Sequence, residues 1–230
     1  MSELKRHGIP AAAGVFEDAV SSLFEPDVSK LPQTSFHFFE QAMADSLQGR
    51  FLVATPQLRD PNFIRTVVLL LESNNESAIG LVVNRPSSIT LDAAFAQAED
   101  TPMSTASIFC GGPVETDSLF ILHDCPNVGQ YDDHVSNGIF LTGNNDSFSS
   151  LIGPEKSCQH MCGFRVYHGY AGWDAAQLQN EIDRGDWRTL DATARMVLHM
   201  DAYEIWHLSQ ERLNQENRLL PHNALNPNWN

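Results

Sequence analysis

Cys158, His160 and Cys162 stand together in "SCQHMC", with His168 shortly after. Soft ligands of this kind suit zinc, but a structural zinc site needs four of them converging tetrahedrally. The cysteines are four apart and no second cysteine pair follows. Ordinary thiols are therefore the reading, and no residue is assigned as a metal ligand. His123 is followed by Asp124 and Cys125 at the end of an apolar run, a grouping that would suit a thiol activated by an imidazole. Asp117, the other acid of that run, is six residues back on the same strand face. At 3.3 Å per residue the two are roughly 20 Å apart. An Asp117–His123 pair fails, and His123 reads as a hydrogen-bonded strand residue.

The remaining candidates suit binding rather than bond making. Arg65 precedes an apolar strand, and Asn84-Arg85-Pro86 ends another. Either arginine could reach a ligand carboxylate or phosphate, or fix loop geometry, and Asn84 could close a turn through its side chain. The amides of Gly111 and Gly112 could form an anion-binding nest, although Pro113 adds no N–H. A tight strand-to-strand turn is the competing reading. The segment "YHGYAGWDAAQLQNEI", residues 167–182, sets Gly169, Tyr170, Gly172 and Trp173 ahead of a helical pattern containing Gln177. It reads as a sharp strand-to-helix junction packed by the two aromatics. No dinucleotide fingerprint, phosphate loop, HExxH, GxSxG or CxxC occurs. No catalytic residue and no cofactor are assigned.

Composition narrows the partners. Of 230 residues, 29 are acidic and 14 basic, for a net charge of −15. A nucleic-acid surface needs clustered Lys and Arg, and the densest basic spot is Lys5-Arg6. Direct nucleic-acid binding is disfavoured, which leaves a small molecule or a protein as partner. No run approaches the roughly 20 apolar residues of a membrane span, and Glu17 and Asp18 interrupt any secretory-type apolar stretch. With four cysteines and no disulfide framework, the expectation is a cytoplasmic protein with free thiols.

The elements that must position these residues follow from periodicity. Residues 1–33 read as a flexible extension punctuated by prolines, 34–213 as a single domain and 214–230 as a polar tail. Phe36, Phe39, Met43 and Leu47 share one helical face, predicting a helix over 35–48 stopped by Gly49. "RFLVAT", "TVVLLLE" and "AIGLVVN" predict strands buried on both faces, the last two forming a hairpin. Strands are also predicted at "ASIFC", "DSLFILHD", "NGIFLTG" and from Gly163. Leu91, Ala94, Phe95 and Ala98 mark one helix. Asp174 with Gln177, and Asp201 with Glu204, give capping-box starts for two more. The mixture is α+β with a largely antiparallel sheet.

Taken in order, "FLVATPQLRDPNFIRTVVLLLE", "AIGLVVNRP", "CGGPVETDSLFILH" and "GYAGWDAAQLQNEIDRGDW" resemble the YqgE/AlgH family, also called UPF0301, over about residues 47–213. The resemblance implies a bifurcated, barrel-like sheet flanked by helices, in a bacterial protein. It implies no settled activity; family members are often labelled transcriptional regulators. The leading expectation is a non-enzymatic domain that binds a small ligand or a protein near Gly111-Gly112, Asn84 and Gly169–Trp173. The alternatives are an enzyme using His123 or a cysteine, and a DNA-binding regulator.

Overall fold

The structure is a computed structural model, which describes residues 46–94, 106–128, 133–136, 138–142, 150–151 and 162–219. Ten strands lie within them: β1 (Arg50–Ala54), β2 (Val67–Ser73), β3 (Ser77–Val82), β4 (Pro86–Thr90), β5 (Ser107–Cys110), β6 (Val114–His123), β7 (Asp133–Ser136), β8 (Ile139–Thr142), β9 (Phe164–Asp174) and β10 (Trp187–Asp191). The described helices are α1 (Leu91–Ala94), α2 (Ala175–Asp183), α3 (Ala194–Leu198) and α4 (Ala202–Leu219). Hydrogen bonding runs β10-β1-β2-β3-β9-β6-β8-β7, antiparallel at each step, and β7 curls back alongside β2. The result is the single-domain, curled antiparallel half-barrel with helices that the sequence leads one to expect.

Alternation along each strand sorts side chains between an inner core and two outer ones. Phe51, Val53, Val67, Leu69 and Leu81 point inward with Leu122 and Tyr167. Helices α3 and α4 plug this interior with Met196, Val197, Ile205 and Leu213. Leu52, Val68, Leu70 and Trp173 point outward under Leu178 of α2. Ile108, Ile121 and Val166 form the outer core of the other arm. Val67–Leu71 is buried at every position, which is why that run is apolar without interruption.

The sheet divides at β9. Its first half lies between β6, antiparallel, and β5, parallel through Phe109↔Tyr167 and Cys110↔His168. Its second half pairs with β3 through Ser77↔Asp174 to Gly80↔Ala171. Gly111 bridges the branches: its amide donates to His168 O (2.8 Å), and its carbonyl accepts from Val82 N (2.7 Å). Gly169 has φ +66, a conformation open to glycine without a Cβ penalty. Four residues of β6, Glu115–Ser118, bulge out opposite it between Val114↔Tyr170 and Leu119↔His168. Across Gly169 the alternation of β9 inverts: Arg165 and Tyr167 face the interior, whereas Ala171 and Trp173 face outward.

Several expectations are corrected. "YHGYAGW" is not a junction turning out of a strand; β9 continues through it to Asp174, because β3 supplies the backbone partners that a turn would lack. Gly111-Gly112 does not turn one strand back on the next, since β5 and β6 both pair with β9. Asp174 caps α2, accepting from Ala176 N (2.8 Å) and Gln177 N (3.3 Å). The Gln177 side chain does not close the box; it donates to Glu181 Oε1 (2.8 Å). Helix α4 starts after Asp201 as expected but runs to Leu219, past the point where the tail was placed. The predicted helix over 35–48 lies outside the described residues except Ser46–Gln48, which are not helical. The positions Phe95 and Ala98 also lie outside them.

Candidate functional site

The ten predicted site residues gather mainly into two structural clusters. The first holds the β1–β2 connection. Asn84 is buried; its Oδ1 accepts from Val67 N (2.8 Å) and its Nδ2 donates to Arg65 O (2.9 Å). This clamp holds Arg65 at φ +55, a conformation that costs a non-glycine residue roughly 1–2 kcal/mol. The Arg65 guanidinium lies over the Trp206 ring at 5.7 Å. Arg85 donates to the carbonyls of Asn62 (2.5 Å), Ile64 (3.2 Å) and Pro61 (3.3 Å). Phe63 is thereby held against Trp173 (5.6 Å) and Trp187 (5.5 Å). Both indoles donate to Glu181 Oε2, at 3.0 and 2.8 Å, and Gln177 supports the same carboxylate. Asn84→Ala strands the Val67 amide and the Arg65 carbonyl, and should cost about 3 kcal/mol in urea unfolding; a loss below about 1 kcal/mol would remove the clamp argument.

The second cluster is the fork. A Cβ on Gly111 would lie 2.3 Å from Gly169 O, and one on Gly112 would lie 2.1 Å from the Tyr170 carbonyl carbon. The strand backbones touch there, and the Gly111 amide is already committed to His168. Tyr170 packs its edge on Phe120 (6.1 Å) and donates to Glu115 Oε1 (3.4 Å). Burial first, and then the Glu115 charge, push its hydroxyl pKa up.

His123 stands apart from both clusters. It is fully buried and stacks on Phe140 at 5.5 Å, and its Nδ1 accepts from Cys125 N (3.2 Å). The all-thiol expectation is corrected: Cys110 and Cys162 are free, but Cys125 is disulfide-bonded. Folding brings a second sulfur to it, a proximity invisible in sequence spacing. Cys158 and His160 lie outside the described residues. A further polar group was not anticipated: Asp124 Oδ2 meets His199 Nε2 at 2.5 Å, and Asp124 Oδ1 accepts from Gly163 N at 2.7 Å. Burial, then the Asp124 charge, raise the pKa of the neighbouring Cys162 thiol, the opposite of the depressed pKa that activates a nucleophile.

The described cavity lies elsewhere, at the mouth of the barrel, with a volume of about 430 Å³. Strand β4 and helix α1 give it Pro86, Ser87 and Leu91; β5 gives Ser107 and Phe109. Phe164, Arg165 and Val166 come from β9, and Asp201, Ala202 and Tyr203 from the start of α4. None of the ten predicted residues lines it. Arg165 is the cation of this wall. It packs on Phe109 at 4.7 Å and donates to Val83 O (3.3 Å) and Met200 O. The signal available in "FRVY" was a lone cation set among apolar and aromatic residues.

Comparison with known proteins decides the family. An AlgH-like family model matches residues 51–218. The chain belongs to the AlgH-like family. Among its relatives is a UPF0301 protein of Paraburkholderia phytofirmans, 35% identical over 168 residues, covering 69% of this chain and 84% of the relative. Another, from Alcanivorax borkumensis, is 31% identical over 181 residues, covering 76% and 93%. The solution structure of the AlgH protein from Pseudomonas aeruginosa aligns with a TM-score of 0.60 at 30% identity, covering 74% of this chain and 89% of that one. A crystal structure from Corynebacterium diphtheriae, 20% identical with a TM-score of 0.58 over 72% and 86% of the two chains, shares the fold. Among the described residues, no helix of this AlgH-like chain is long and apolar enough to cross a membrane.

Proposed function

We propose that this AlgH-like chain is a non-enzymatic binding domain, and that a small organic molecule occupies the cavity at the barrel mouth. Any regulatory role would follow indirectly from that occupancy. The observation that carries the reading is the cavity itself: about 430 Å³, within the size range of small-molecule sites, with apolar walls and a few convergent polar groups. The residues predicted from sequence shape it at a distance. Asn84 and Arg85 lead into Pro86, and the Gly111–Gly169 fork holds β5 against β9 on its far side.

The competing readings lack comparable support. His123 is buried and does not line the cavity, and burial and the Asp124 charge push the Cys162 thiol pKa up, away from thiolate character. A charge of −15 opposes duplex binding.

The test is a protein-observed NMR screen of the full chain with aryl and alkyl fragments. Shifts should gather on the amides of Ser87, Ser107, Arg165, Val166, Ala202 and Tyr203. Shifts gathered around Tyr170 and Glu115 instead would return the site to the fork and refute the cavity reading.

A further inference from the structure

We infer that the molecule recognised by this cavity carries a single carboxylate on an apolar body, with Arg165 as its anchor. The inference rests on the reading of the cavity as a ligand site. It starts from an imbalance between donors and acceptors. A guanidinium has five N–H donors. Those of Arg165 serve two backbone carbonyls, Val83 O and Met200 O, which leaves three. Among the described residues no carboxylate lies within ion-pair range of it. Behind it, the Tyr167 hydroxyl is fully buried and has no hydrogen-bond partner. Burial drives its pKa up, partly offset by the charge of Arg165 beside it. Among the described residues at this end of the barrel, the spare guanidinium N–H groups and the Tyr167 hydroxyl meet no acceptor. Arg165 is half-buried and lines the cavity, so the partner its remaining N–H groups can take there is an acceptor.

The geometry narrows the acceptor's type. The two carbonyls come from different parts of the chain and pin both Nη atoms, while Phe109 supports the guanidinium face at 4.7 Å. A planar fork held this way is pre-organised for a planar carboxylate. Asp201 argues for one negative charge rather than two. Its carboxylate caps α4, accepting from Tyr203 N (2.9 Å), and it also lines the cavity. It would repel a phosphate dianion more than a carboxylate. Phe109, Phe164, Val166 and Leu91 provide the surface for an apolar body.

The experiment titrates the full chain with phenylacetate, indole-3-acetate and octanoate, each against its own amide, and with phenyl phosphate, using calorimetry and NMR. At least one carboxylate should bind at the cavity about tenfold more tightly than its amide. Arg165→Met should abolish that preference. Because Arg165 also ties two carbonyls, Ser87→Trp provides a second variant that fills the cavity and leaves the guanidinium in place; it should remove binding of carboxylate and amide alike. Amides binding as tightly as their carboxylates would overturn the inference while leaving the cavity a ligand site. Phenyl phosphate binding more tightly than phenylacetate would overturn the single-charge argument. Binding of neither class would overturn both the inference and the reading beneath it.

Discussion

Gly112→Ala should lower the melting temperature by roughly 10 °C, equivalent to a stability loss of about 3 kcal/mol, or prevent folding. The added methyl carbon would sit 2.1 Å from the Tyr170 carbonyl carbon, 2.2 Å from its oxygen and 2.4 Å from Ala171 N. All three are backbone atoms of β9, the strand shared by both arms of the sheet, so no side-chain rotation relieves the contact. The clash can be relieved only by moving β5 away from β9, which breaks the bond from Gly111 N to His168 O. Gly172→Ala is the control within the same motif: its Cβ would find its nearest neighbour, the Tyr170 ring, at 3.5 Å, ordinary contact. It should change stability by less than about 0.5 kcal/mol. Equal effects of the two substitutions in thermal unfolding would sink the fork argument.

Glu181→Ala should cost about 3 kcal/mol or more. One carboxylate oxygen accepts from the indoles of both Trp173 and Trp187, which are 5% and 2% exposed, so its removal strands two buried donors at once. Glu181→Gln keeps an oxygen at the site and should lose about half as much. Urea unfolding followed by tryptophan emission measures both, because the probe is the group that loses its partner. An alanine variant within about 0.5 kcal/mol of the parent protein would show that water replaces the carboxylate without penalty.

Where local pattern and tertiary partner agree, the sequence is a sufficient guide. Val67–Leu71 is apolar throughout because both its faces are covered, and Asp174 marks the start of α2 because the cap is satisfied within three residues. Where the partner is distant, pattern misleads. "YHGYAGW" has the glycine content of a turn, yet β3, β5 and β6, all far off in sequence, together hold it extended. The same limit applies to the candidate site. Asn84, Arg85, Trp173 and Gln177 were legible as unusual residues, but the atoms they serve are carbonyls, amides and a carboxylate of this chain. The Arg165 cavity draws on four separate stretches, and only the lone cation in "FRVY" marks it in the sequence.

Strand β1 has a consequence for how the chain is made. It is the first described strand, and one of its edges pairs with β10, with Arg50 opposite Asp191, 141 positions later (191 − 50). At synthesis rates of 5–20 residues per second, that edge waits roughly 7–28 s for its partner. Throughout that interval the backbone of "RFLVA" presents an unpaired edge beside apolar side chains, the arrangement most prone to pairing with another chain. The nascent protein therefore passes through a window in which its first described strand needs shielding, and the window closes only when Trp187–Asp191 emerges to pair with it.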